Sequence, residues 1–390
     1  MHTSSWARQV LCLFLSCVIA PVALPAQTLT TLHNFDGSDG SQAFGSLIQA
    51  SNGNFYGTTY SGGENRDGTV FEMTPAGTLV TLHSFDVTDG SFPEAGLVAG
   101  ANGDLYGTTY AGGSNLNGTM FEITLGGKLT KLHSFGRYKD GAEPFGALVL
   151  GRDGNFYGTT SLGGPYGGGT VFKITPEGTV TTLHGFCAQI ANNFCVDGNG
   201  PQGGLVQGAN GNFYGTTYAG GVNDAGAIFE VTPDGAFTNL HSFIGMGDDP
   251  DGHQPYAGLV LASNGNFYGT TIKGGKYLDG TIFEMTPGGT LTTLHDFGGA
   301  DGANPWAGLV QATNGNLYGV TLSGGIYGEG TIFEITLTGV FTKRHSFDAL
   351  NGDGANPFAG LVQGKDGNLY GTTTGRGAYG FGTAFKFSLE

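Results

Sequence analysis

The stretch NFYGTTY at 54–60 returns with small changes seven times, on Tyr56, Tyr106, Tyr157, Tyr214, Tyr268, Tyr318 and Tyr370. A unit written seven times cannot bury its apolar face alone, so neighbouring units must share one continuous core. The intervals inside the unit are fixed. A leucine (Leu47, Leu97, Leu148, Leu205, Leu259, Leu309, Leu361) stands nine residues before each tyrosine. A phenylalanine (Phe71, Phe121, Phe172, Phe229, Phe283, Phe333, Phe385) stands fifteen after it. Wherever the unit continues, a histidine follows that phenylalanine by twelve.

Turn signals divide each unit into four short strands, A to D. Asn-Gly or Asp-Gly precedes the aromatic pair, as at Asn52-Gly53, Asn102-Gly103 and Asp153-Gly154, which is the signal for a tight type I′ hairpin. Gly-Gly and TPxG segments mark the next two turns. With 75 glycines and only 12% charged residues, the chain is unsuited to long helices and suited to strands joined by tight turns. Aromatics make up 12% and recur at fixed places, which argues against low-complexity disorder. Four-stranded units of about fifty residues predict an all-β, seven-bladed β-propeller of antiparallel blades. A parallel solenoid would have shorter coils and no hairpin turns. The ends agree with a ring: TLTTLHNF at 28–35 is a lone strand D, and GTAFKF at 382–387 is a strand C with nothing after it. The first strand is expected to complete the last blade and remove its exposed edge.

The segments AGLV, NGNFYGTT and GTVFEITP resemble the repeat of the GloVer tandem-repeat family of exported bacterial proteins. The resemblance covers essentially all of 28–390. The order of a P-x-G-L strand, a G-N-x-Y strand and a third apolar strand is also similar to NHL-type propellers. Both resemblances imply a propeller, and neither supplies a catalytic residue.

Residues 1–26 read as a secretory signal: Arg8, an apolar run at 10–20, and ALPAQ offering cleavage after Ala26. A lipoprotein cysteine at Cys17 is the lesser alternative, because apolar residues follow it where a polar tether belongs. The expected product is a secreted, extracellular or periplasmic protein, with 27–390 as a single propeller. Removing 1–26 leaves 14 Lys and Arg against 31 Asp and Glu, a net of −17. No basic cluster offers a nucleic-acid footprint, an anionic membrane would repel such a chain, and no apolar run is long enough to span a bilayer. Cys187 and Cys195 remain, with seven residues between them; in an exported protein they are expected to form a disulfide.

Several constellations invite a functional reading. The strand D histidines His33, His83, His133, His184, His241, His295 and His345 would form a wide ring, too spread to converge on one ion, and are read as hydrogen-bonded side chains between blades. Asp39, Asp89, Asp140, Asp197, Asp251, Asp301 and Asp353 each precede a glycine, eight residues before the strand A leucine. Two readings stand: a turn, favoured by the fixed spacing, or a carboxylate collar near the axis that binds Ca²⁺. Phe44, Phe145, Tyr256, Trp306 and Phe358 occupy one position just before strand A, where Glu94 and Gln202 break the series. They either plug gaps between blades or stack on a flat ligand at the channel mouth.

Length differences fall almost wholly between the strand D phenylalanine and the next aspartate. That interval is four residues from Phe35 to Asp39 but eleven from Phe186 to Asp197 and eight from Phe243 to Asp251. Insertions on one face of a repeat protein often mark its binding side. The second insertion holds Asp248, Asp249, Asp251 and His253, the last being the only histidine of 27–390 outside strand D. With Tyr256 and Trp306 these residues form the expected ligand site. The expected function is an exported binding or interaction propeller holding a glycan, peptide or surface partner on the D-to-A face, with no cofactor required. The alternative is a propeller hydrolase or lyase assisted by Ca²⁺ over the channel. Near-identical blades favour binding, because catalysis needs distinct residues at one point.

Overall fold

The computed structural model describes residues 27–245 and 250–389. The expected signal segment and Asp248 and Asp249 lie outside the described residues.

Seven four-stranded antiparallel sheets follow one another. Blade 1 is Ile48–Gln49, Phe55–Thr59, Thr69–Met73 and Leu79–Ser84, as strands A to D. Its register pairs Ile48 with Tyr56 and Tyr56 with Glu72, and blades 2 to 6 repeat it. Blade 7 takes strands A to C from Val362–Gln363, Leu369–Thr373 and Thr383–Phe387, and strand D from Leu29–Asn34. Leu29 faces Phe387 and Asn34 faces Thr383, so the chain's two ends close the ring.

Every strand B is buried along its whole length, whichever face a side chain takes. A two-layer sheet would bury alternate residues only; here a neighbouring blade covers each face. The packing explains the invariant glycine of NFYGTT. A Cβ on Gly57 would stand 2.6 Å from the Phe71 ring and 2.8 Å from Leu47, so no larger residue fits. Apolar clusters bridge adjacent blades, one of them joining Phe35, Phe55 and Phe71 to Tyr370 across the closure. The strand B tyrosine packs its ring on the next blade, 4.1 Å between centroids for Tyr370 and Phe55. In blade 1 its hydroxyl donates to Glu72 at 2.7 Å.

The strand D histidines and the aspartates that follow them prove to be partners. Nε2 and Oδ2 are 2.7 Å apart for His33 and Asp39, and between 2.7 and 3.1 Å in the other six pairs. Each pair ties one blade's outer strand to the connection entering the next. The next blade's strand C threonine then donates to the aspartate's own carbonyl, as Thr69 does to Asp39 at 3.1 Å. Blade 4 lacks this link because Ala227 holds the threonine position.

The two long D-to-A connections follow blades 3 and 4. The first contains a small hairpin of Ile190–Ala191 and Phe194–Cys195, turned by Asn192 and Asn193, both at positive φ. Cys187 and Cys195 are bonded as a disulfide, so this loop is stapled at its base. Among the described residues no helix is long and apolar enough to cross a membrane.

Candidate binding site at the mouth of the channel

Strand A is only two residues long because the chain just before it turns toward the axis. In six blades a proline fixes that turn, and the next residue points inward: Glu94, Phe145, Gln202, Tyr256, Trp306 and Phe358, with Phe44 equivalent in blade 1. All seven line one cavity of about 340 Å³, together with the strand A starts. The aromatic members meet one another. Ring centroids are 4.4 Å apart for Tyr256 and Trp306, 5.4 Å for Trp306 and Phe358, and 4.8 Å for Phe358 and Phe44. Phe145 lies 5.3 Å from Tyr256, and Tyr256 lies 5.8 Å from Phe358. Blades 3 and 5, and 5 and 7, are not neighbours, so these contacts reach over the axis. The rings form a plug across the channel rather than wedges between blades.

Glu94 and Gln202 breach the plug on either side of Phe145. Behind Phe145 and Gln202 lies a second cavity of about 270 Å³, bounded also by Tyr110, Glu143 and Tyr218. Tyr110 donates its hydroxyl to Glu143 at 2.8 Å. Gln202 Oε1 is buried without a hydrogen-bond donor. Burial first, then the Glu143 carboxylate, pushes the Glu94 acid up to about 8. A carboxyl held neutral at pH 7 is a hydrogen-bond donor as well as an acceptor. Burial, then Glu94, raises the Tyr256 hydroxyl well above its ordinary value. The mouth therefore has an aromatic wall from blades 5, 6, 7 and 1, and a polar wall from blades 2, 3 and 4. Flat apolar surface with a few converging polar groups is the usual make-up of a small-ligand site.

The residues expected to form one site divide. Tyr256 and Trp306 come together at the plug. Asp251, five positions before Tyr256, faces outward to His241 at 2.9 Å and accepts from Ile244 N at 3.4 Å. His253 pairs through its backbone with Lys273, its N–H donating at 2.9 Å. The seven aspartates do not gather at the axis, since each is held by its own outer-strand histidine. The glycine after each has positive φ, for example 135° at Gly40 and 139° at Gly302, which is the turn geometry. Among the described residues no group of three or more His, Cys, Asp or Glu side chains is placed to hold a metal ion. Sequence reasoning noted Glu94 and Gln202 only as interruptions and passed over Glu143 and Tyr110. The available signal was an acid standing in one blade where five others carry a ring.

Fold and site together define a seven-bladed propeller with a plugged, asymmetrically polar channel mouth. The chain belongs to the Gloeobacter/Verrucomicrobia repeat family, whose model matches residues 18–208 and 201–390. No curated protein matches it. Among solved structures it is similar to a streptogramin B lyase, with a TM-score of 0.63, 15% identity, and coverage of 93% of this chain and 98% of that one. Virginiamycin B lyase from Staphylococcus aureus is similar at a TM-score of 0.62 and 13% identity, over 93% and 99% of the two chains. An extracellular domain of a hybrid two-component system from B. thetaiotaomicron follows at 0.59 and 14%, covering 93% of this chain and 41% of that one. At these identities the likeness is one of fold.

Proposed function

We propose that this chain is an exported binding propeller whose ligand docks on the D-to-A face, over the channel mouth. The observation that carries the reading is where the sevenfold repeat fails. Glu94, Gln202 and Glu143 are single-copy groups, and with Tyr110, whose position is tyrosine in blades 1 and 4 as well, they border one pair of adjoining cavities. A purely structural ring has no need of an acid there, since phenylalanine fills the position in three other blades. The two long connections, one stapled by Cys187–Cys195 and the other carrying Asp248 and Asp249, enter the same face. The disulfide supports export to an oxidising compartment. Screening the protein against glycans, peptides and metal ions supplies a ligand. Glu94→Ala or Trp306→Ala is then expected to weaken its binding at least tenfold with the ring still folded. Affinity unchanged in both, but lost on altering the opposite face, overturns the reading.

A second reading has one specific support: Glu94, neutral near pH 7, is placed as a proton donor in a cavity, as a hydrolase or lyase requires. Calcium fits it poorly, because the turn aspartates are engaged outward by histidines and the two cavities are lined by two acids, Glu94 and Glu143, against a need for six to eight oxygens. Turnover of a screened compound that Glu94→Gln abolishes, without loss of its binding, would establish this reading over the first.

A further inference from the structure

The D-to-A connections share their face of the ring with the B-to-C connections, and this face is unusually rich in exposed apolar groups. Among the described residues 17 large hydrophobic side chains stand exposed, and 15 of them lie on those two sets of connections. One position in the B-to-C connection, two residues after its last glycine of the Gly-Gly pair or its equivalent, explains part of this. In blades 1, 2 and 4 it is Asn65, Asn115 and Asn223, whose side-chain amides donate to the carbonyls of Phe85, Phe135 and Phe243 at 3.0–3.1 Å. That bond ties the loop to the end of strand D. In blades 3, 5, 6 and 7 the same position is Tyr166, Tyr277, Tyr327 and Tyr379. A tyrosine has no amide with which to make that bond, and these four rings stand 53 to 64% exposed. Four blades thus forgo a loop-anchoring bond that three others of the same chain make, and present a flat ring to solvent instead.

We propose that Tyr166, Tyr277, Tyr327 and Tyr379 are stacking platforms that hold a neutral polysaccharide chain across this face. The inference rests on the reading of the D-to-A face as the ligand side. Each ring stands at the tip of a glycine-rich loop, as in GGPYGGG and GGIYGEG, in two blades beside a second exposed apolar residue, Leu278 or Ile326. Rings on the three successive blades 5, 6 and 7, with a fourth on blade 3, match a polymer of repeating units. The apolar C–H faces of a pyranose meet the electron-rich face of tyrosine, while its hydroxyls meet carboxylates and amides between the rings. Charge narrows the polymer. With 31 Asp and Glu against 15 Lys and Arg, the chain repels polyanions such as pectate or alginate. Lys276 Nζ already sits 4.9 Å from the Tyr277 ring centre, so Tyr277 is the platform expected to contribute least.

Native gel electrophoresis through soluble galactomannan, xyloglucan or mixed-linkage β-glucan tests this, with pectate and alginate in parallel gels. The expected result is retardation of the protein by at least one neutral polymer and by neither acidic one. The informative variants are Tyr166→Asn, Tyr327→Asn and Tyr379→Asn, since asparagine is the residue the other blades use and restores their loop bond. Each is expected to melt no lower than the parent and to bind about three- to tenfold more weakly, and all three together to run unretarded. Retardation by no neutral polymer, by acidic polymers alone, or equally of the triple variant and the parent overturns the proposal. If the triple variant binds normally while Glu94→Ala or Trp306→Ala does not, the platforms fall and the ligand face stands.

Discussion

Glu94 is the residue at which the molecule departs furthest from its own repeat, and its environment has a measurable consequence. Its ordinary value is 4.5, and burial with the nearby Glu143 raises it to about 8 in the folded state. The folded value lies above the unfolded one. The stability associated with the neutral acid is therefore full below the unfolded value and is lost as pH rises toward 8. Glu94→Gln removes that dependence. In denaturant unfolding the variant is expected to match the parent's stability near pH 5 and to exceed it near pH 9 by on the order of a few kcal/mol. An equal difference at both pH values would show that Glu94 is ionised in the fold. The strand D histidines predict the reverse pattern of effects. His83→Ala leaves the Asp89 carboxylate without its 2.8 Å partner, which is expected to lower stability by about 1–3 kcal/mol and leave ligand affinity intact. Chemical denaturation alongside a binding assay checks both halves. The sequence displayed the histidines from His83 onward at a fixed distance from the strand C phenylalanine and each aspartate at a fixed distance from its strand A leucine, yet not their contact. That contact joins a strand to the loop after it, and the loop's length varies from blade to blade.

At the scale of elements, the strand order and hairpins were legible because each fixed interval is one strand plus one turn whose chemistry admits few geometries. Direction within an element was harder to read. Asp251 and Tyr256 sit five residues apart and look like one cluster, but the intervening chain runs from the outer strand of blade 4 to the axis. One therefore faces His241 and the other faces Trp306. The closure of the ring by Leu29–Asn34 is the element with the sharpest test. Deleting residues 27–35 bares the edge of Thr383–Phe387 and removes Phe35 from its cluster with Phe71. Aggregation or a markedly lower melting temperature is expected, and a soluble monomer of unchanged stability would contradict the closure. The Cys187–Cys195 link restrains a short loop only. Replacing both cysteines by serine is expected to cost about 2–3 kcal/mol at most, measured by denaturant unfolding with and without reductant.

For the whole molecule, sevenfold repetition builds the scaffold, and the departures from it gather on one face. The polar breach of the plug lies with blades 2 to 4, the long connections follow blades 3 and 4, and the exposed tyrosines stand on blades 3, 5, 6 and 7. The repeat itself was readable because each copy corroborates the others. The departures were visible as letters, but their convergence was not, since residues as distant as Phe44 and Phe358 meet only once the ring closes. Ligand is therefore expected to bind on this face. Hydrogen–deuterium exchange of the protein with and without the neutral polysaccharide that retards it locates the bound ligand. Protection is predicted in the D-to-A and B-to-C connections, strongest around Glu94, Gln202, Trp306 and Tyr327, with the A-to-B and C-to-D connections unchanged. Protection confined to the A-to-B and C-to-D connections would contradict it.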